Sequence, residues 1–423
     1  MLNERKTEAY CAILAEELRL ATGCTEPIAV AYCAAKLREV LGGKPEKVLA
    51  EVSGNILKNV KSVVVPNTGG RRGIEAAIAV GIVAGDADAE LQVLAKVTEE
   101  DAKHIQEYLD ATDITVTCPE TPCLLDIRLT GWLGGHKAVT RVANNHTNLV
   151  YIEKDGRVLL EKPESASAEA NLQDKSVLNV KDILTFIETV DIERIRPCIS
   201  RQLACNSAIA AEGLRGDWGA NIGSTLLSTG SGIETEARAW AAAGSDARMN
   251  GCEMPVVINS GSGNQGITSS VPVIVCARAT GRSHEELLRA LAVANLVTIH
   301  LKTGIGRLSA YCGAVSAGCG AAAGLAYLQG GDYDTVAHTV VNTVAMDSGI
   351  ICDGAKASCA AKIAAAVDAG LLGLAMYRSG NQFFGGDGIV KKGVENTIAN
   401  VGRLARLGMA QTDKQIIQLM MES

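Results

Sequence analysis

Tyr-Cys-Gly-Ala-Val-Ser-Ala-Gly-Cys-Gly at 311–320 and Ile-Cys-Asp-Gly-Ala-Lys-Ala-Ser-Cys at 351–359 place four thiols in one short window. Cys312 and Cys319 are seven residues apart, and so are Cys352 and Cys359. Thiolates bind soft metals and iron–sulfur clusters, so four of them in such a window are a candidate metal site. The other reading is that these cysteines are small hydrophobes inside Ala/Gly-rich helices. Neither pair has the short C-x-x-C spacing of common zinc sites, and spacing alone leaves both readings open.

Apolar residues at helical spacing surround this window. Residues 320–328, 335–344 and 356–369 read as helices, as do 182–190, 201–214, 283–301 and the stretch from Val394 to the end. Strand signals dominate earlier in the chain. They cover 47–52, 63–66, 112–118, 124–131, 138–143 and 148–153, with Asp155-Gly156 as a hairpin turn. Residues 5–21, 25–34, 73–84 and 88–110 alternate with these strands as helices. Residues 161–178 are polar and lack periodicity, which makes them the natural linker. The expected architecture is an α/β N-terminal domain over 1–170, with a mixed, partly antiparallel sheet. An all-α C-terminal catalytic domain should follow over 171–423.

Composition narrows the function classes. The chain has 423 residues, of which 47% are hydrophobic but only 3% aromatic, so its cores must be built from Ala, Val, Ile and Leu. A net charge of −7 with no basic cluster argues against a nucleic-acid partner. We find no apolar run of the roughly 18 residues that a membrane span needs, and no apolar signal-peptide core at the N-terminus. Thirteen scattered cysteines do not form a disulfide framework, and a reducing cytoplasm is expected. The Ala/Gly-rich helical half would suit packing into a homodimer.

Three further stretches carry chemistry. In Gly-Cys-Thr-Glu-Pro (23–27), Pro27 suits a first helical turn, so Cys24 or Thr25 should cap a helix. A thiol there is expected to have a lowered pKa. Ser-Gly-Ser-Gly-Asn-Gln-Gly (260–266) is a glycine-rich loop without the lysine of a P-loop. Just before it, Arg248 reads either as a carboxylate site or as a structural partner of Asp246. Asn-His-Thr-Asn (145–148) offers His146 as a substrate-contacting residue.

Gly-Cys-Thr-Glu-Pro at 23–27, Asn-Ser-Gly-Ser-Gly-Asn-Gln-Gly at 259–266 and Ile-Cys-Asp-Gly-Ala at 351–355 together resemble the L-cysteine desulfidase family. That family is related to the iron–sulfur L-serine dehydratases through their α-chain. The resemblance runs nearly end to end. It implies a [4Fe–4S] cluster held by Cys312, Cys352 and Cys359, with Cys24 as the acid–base residue. Cys319 matches no ligand of the family. Three thiolates would leave one iron open to act as a Lewis acid, whereas four would close the cluster for electron transfer. Substrate contacts are expected from Thr25, Glu26, His146, Ser260, Ser262 and Asn264. The implied substrate is a small amino acid, and the implied reaction converts L-cysteine to pyruvate, ammonia and hydrogen sulfide. L-Serine dehydration is the alternative, and a non-catalytic iron–sulfur or zinc redox sensor is the second. A pyridoxal phosphate enzyme would need a Schiff-base lysine, for which Lys356 is the candidate.

Overall fold

The computed structural model describes residues 2–162 and 173–422, so the predicted domain boundary at 170 lies outside the described residues. Strands β1 (Leu20–Thr22), β2 (Lys47–Val52), β3 (Asp113–Thr117), β4 (Asp126–Leu133), β5 (His136–Ala143), β6 (Leu149–Lys154) and β7 (Arg157–Glu161) belong to the first half. Six of them form one sheet in the order β3-β2-β4-β5-β6-β7. The β2–β3 pair is parallel and the others are antiparallel, the mixed sheet that the sequence predicts. The β6–β7 hairpin turns at Asp155 and Gly156, with φ of 53° and 80°. Two consecutive positive φ angles are what a tight hairpin of this twist requires. Helix Thr25–Leu41 packs on β4 and β5, and helix Gly73–Ala84 packs on that helix.

Beyond residue 173 the regular elements among the described residues are all helices except for β8 (Pro255–Val257). With few aromatics available, these helices approach closely along small residues. A Cβ on Gly320 would lie 2.0 Å from Thr298 Oγ1 and 2.4 Å from the Ala294 carbonyl. One helix, Cys359–Arg378, is long and apolar enough by length and composition to cross a bilayer, which modifies the expectation of no such run. In this fold it packs against helices Ile233–Met249, Gly313–Leu328 and Tyr333–Asp347.

Three local expectations change. The first helix ends at Glu17, and residues 20–22 leave it to form β1, paired antiparallel with β8. A partner more than two hundred residues away overrides local periodicity there. Val64 forms a single bridge with Arg72 in place of a strand, since Pro66 offers no N–H to extend a ladder. Gly54–Val60, which falls between two of the expected strands, is a helix.

That short helix carries the tie between the two ends of the chain. Lys58 is 1% exposed, and its Nζ donates to Asp413 Oδ1 at 2.5 Å, while Asn55 Nδ2 donates to Oδ2 at 2.9 Å. Asp413 stands in the last helix, Ala410–Met421. Removing one partner of a buried pair leaves the other charge stranded, at a cost of about 3–5 kcal/mol. Asp413→Ala should lower stability by that amount in urea unfolding. Adding Lys58→Met should restore most of it, because no charge is then left unpaired.

Candidate active site

The β1–β8 ladder assembles the site. Thr22 pairs with Pro255 and Leu20 with Val257, so the residues just after β1 lie beside those just before β8. Gly23, at φ +69°, makes the turn out of β1, and a Cβ there would sit 2.2 Å from Pro66 Cγ. Helix Thr25–Leu41 starts immediately afterwards with Cys24 as its N-cap. Cys24 packs with Val63 and Met249, and Ala355 and Cys359 close over that cluster. Beyond β8, a buried amide network fixes the glycine loop. Asn206 both accepts from Val257 N (2.8 Å) and donates to its carbonyl (3.1 Å). Asn259 donates to Asn295 Oδ1 at 2.9 Å, and Asn295 donates to Gln202 at 2.6 Å.

The result is a cavity of about 110 Å³. Cys24, Cys312, Cys352 and Cys359 all line it. So do Glu26, Ser262 and Asn264, three of the predicted substrate contacts. Thr25, His146 and Ser260 stand behind that wall. The Thr25 hydroxyl donates to the Gly261 carbonyl at 3.0 Å, and Ser260 Oγ donates to Asn259 Oδ1 at 2.8 Å. His146 is buried, with Nε2 3.7 Å from Glu26 Oε1, an ion-pair distance too long for a hydrogen bond. Cys319 is fully buried elsewhere, with its thiol 3.7 Å from the Val340 carbonyl. Cys312 precedes helix Gly313–Leu328 as its N-cap, so it never shares a helical face with Cys319.

The three thiols are held from different elements. Cys312 N donates to the Ile350 carbonyl at 3.1 Å and Cys352 N to the Ala310 carbonyl at 2.6 Å, around a Tyr311–Ile351 bridge. Cys359 begins helix Cys359–Arg378. Burial and the neighbouring Cys352 push the Cys312 thiol up to about 12, and burial raises Cys359 as well. Such thiols become thiolates only where positive charge compensates them. Lys302, 4% exposed, supplies some of it. Burial lowers its ammonium to about 8, while Cys352 and Cys312 pull it back up. Lys302 is a site residue that its sequence context, a plain amphipathic helix, does not reveal.

Among the described residues, no three His, Cys, Asp or Glu side chains meet closely enough to hold a metal ion. A single zinc ion needs its ligands to converge on one point. A cluster takes each thiolate on a separate iron, so three thiols spread around one cavity fit an iron–sulfur group. Lys356 bonds the Asp353 carbonyl at 2.9 Å and pairs with its carboxylate at 2.5 Å, an arrangement that already occupies the amine.

Cys24 corrects one expectation. Its thiol is pushed well above the ordinary range, first by burial and then by Glu26, with Arg248 opposing. A helix terminus contributes about 1 kcal/mol, whereas full burial of a charge is worth several, so burial wins. The thiol donates to Glu26 Oε2 at 3.1 Å. Burial would raise the Glu26 carboxyl, but His146 and the Cys24 thiol together hold it down at about 2.

Residues 88–418 match the serine dehydratase alpha chain family. The chain is 54% identical to a UPF0597 protein of Desulfitobacterium hafniense, over 99% of this chain and 97% of that one. It is 49% identical to a UPF0597 protein of Treponema denticola, over 100% and 99%. A Fusobacterium nucleatum UPF0597 protein is 44% identical over 99% of each. With a match spanning most of its length, and a cavity lined by thiols, the chain belongs to the serine dehydratase alpha chain family of iron–sulfur lyases.

Proposed function

We propose that the protein is an L-cysteine desulfidase that eliminates sulfide from L-cysteine to give pyruvate, ammonia and hydrogen sulfide. The observation that carries this reading is the cavity itself, where Cys24 from one end of the chain stands beside Cys312, Cys352 and Cys359 from the other. In this reading the three cysteines hold a [4Fe–4S] cluster. When bound, such a group offers an open iron as a Lewis acid for the departing sulfur.

The chain's own residues supply the rest. The Cys24 thiolate takes the α-proton, the Cα–H pair becomes the Cα=Cβ bond, and the Cβ–S bond breaks with its electrons leaving on sulfur. The released aminoacrylate tautomerises and hydrolyses to pyruvate and ammonia. An amino-acid α-proton is weakly acidic, so its acceptor must be a strong base. Burial makes the Cys24 thiolate a stronger base than an exposed one. Glu26, ionised and adjacent, is placed for the substrate ammonium, whose charge offsets the repulsion that Glu26 exerts on the thiolate. Buried apolar walls from Met249 and Val63 keep water away from that base. Thirteen scattered cysteines and an oxygen-sensitive cluster would fit a cytoplasmic enzyme.

The family match favours a second reading, L-serine dehydration, in which the same residues expel a hydroxyl. Turnover by anaerobically prepared enzyme decides between them. A kcat/KM at least about tenfold higher for L-cysteine than for L-serine is expected, and the reverse order would make the protein a serine dehydratase. Ligand assignment is tested by iron content. Cys312→Ala, Cys352→Ala and Cys359→Ala should each lose the cluster absorption, whereas Cys319→Ala should keep most of it. Loss of iron in Cys319→Ala equal to the other three would make a closed, four-thiolate site the better account. Cys24→Ala should retain iron and lose two to four orders of magnitude in turnover, roughly the range for a missing general base. Near-normal turnover in that variant would remove Cys24 from the mechanism.

A further inference from the structure

Arg248 is a buried cation whose bonding is incomplete. It stands in the last turn of helix Ile233–Met249, is 2% exposed and lines the cavity. Its Nη1 donates to Asn264 Oδ1 at 3.1 Å, but Nε and Nη2 have no hydrogen-bond partner. Asp246, its neighbour two residues before, accepts instead from Gly223 N at 3.1 Å, at the start of helix Ile222–Thr229. A buried guanidinium with two free donors is costly unless something completes it. The two free nitrogens are also a matched pair, since Nε–H and one Nη2–H point the same way along one edge of the plane. That edge is the fork that grips a carboxylate with two parallel bonds. Packing preserves its position, because a Cβ on Gly263 would lie 2.2 Å from Nε and 2.6 Å from Cζ.

We propose that the Nε–Nη2 edge of Arg248 anchors the carboxylate of the substrate amino acid, with Asn264 holding the guanidinium in plane. The inference rests on the amino-acid lyase reading and adds to it the group that orients the substrate. A carboxylate is one bond from Cα, and Arg248 is close enough to Cys24 to act on its charge. Binding there brings the α-proton to Cys24, while Glu26 on the same wall is left for the ammonium. The arrangement selects α-carboxylates over neutral analogues, whatever the leaving group on Cβ.

L-Alanine tests this without turnover, because it has the ammonium and carboxylate but no leaving group. Its affinity for the cluster-loaded, full-length protein is compared with that of L-alaninamide by calorimetry at neutral pH. The wild type should favour L-alanine by about 10- to 100-fold, the range of a charge-assisted pair of hydrogen bonds. Arg248→Gln should bring the ratio close to one without changing affinity for the amide. Arg248→Lys, which keeps the charge but not the fork, should fall between. Iron content and thermal unfolding report whether each variant is intact, and the wild-type ratio stands even if the glutamine variant does not fold. Equal binding of both ligands by the wild type, or an unchanged ratio in an intact Arg248→Gln, overturns the anchor and leaves the amino-acid reading standing. Binding of neither ligand by the wild type overturns both.

Discussion

Four helices begin at the same cavity, and the site depends on that convergence. Cys24 caps helix Thr25–Leu41, Ser262 caps helix Gly263–Ala279, Cys312 caps helix Gly313–Leu328, and Cys359 opens helix Cys359–Arg378. All four of these terminal residues line the cavity. Each helix start presents the positive end of its dipole. Arg248 and Lys302 add two buried cations. The single carboxylate on the wall, Glu26, is held ionised by His146 and the Cys24 thiol. Such a surround favours anions, which suits both thiolate-held iron and an amino-acid carboxylate. It also explains how buried thiols that resist ionising on their own account can be brought to do so.

The balance of forces at Cys24 shows why motif reading goes only part of the way. The sequence places a cysteine at a helix start, and the structure agrees. What the sequence hides is depth, because the residues that bury Cys24 come from Val63, Met249, Ala355 and Cys359. Those partners lie far along the chain, so no local pattern announces them. The same holds for β1 and β8, two three-residue strands that, among the described residues, pair only with each other. By contrast, the mixed sheet, the Asp155-Gly156 hairpin and the helical second half are written in short-range periodicity and turn chemistry, and they are legible without coordinates. The window of four cysteines is visible in the sequence, though only the family resemblance sets Cys312, Cys352 and Cys359 apart from Cys319. Lys302 carries no such signal, because a lysine in an amphipathic helix looks like any solvated one until its surroundings are known.

The C-terminal helix bears on the site although none of its residues lines the cavity. Gly354, at φ +94°, lies between Cys352 and Cys359, and a Cβ there would strike the Lys58 carbonyl at 2.2 Å. The loop between these two cysteines therefore rests directly on the backbone of Lys58. The side chain of Lys58 is held in turn by Asp413, and Gly54 at the start of the same short helix packs against Ile417. A larger groove of about 1070 Å³ runs along this last helix and shares Leu308 and Ser309 with the cavity wall. The chain from Asp413 to Lys58 to Gly354 is one of rigid contacts, a buried ion pair followed by backbone against backbone, with little freedom to absorb displacement. The position of Cys352 and Cys359 relative to Cys24 is thus fixed by the closure of the chain's two ends as well as by the helices that carry them. A site with walls at residues 24, 248, 262, 312 and 359 can exist only when the chain is folded from one end to the other.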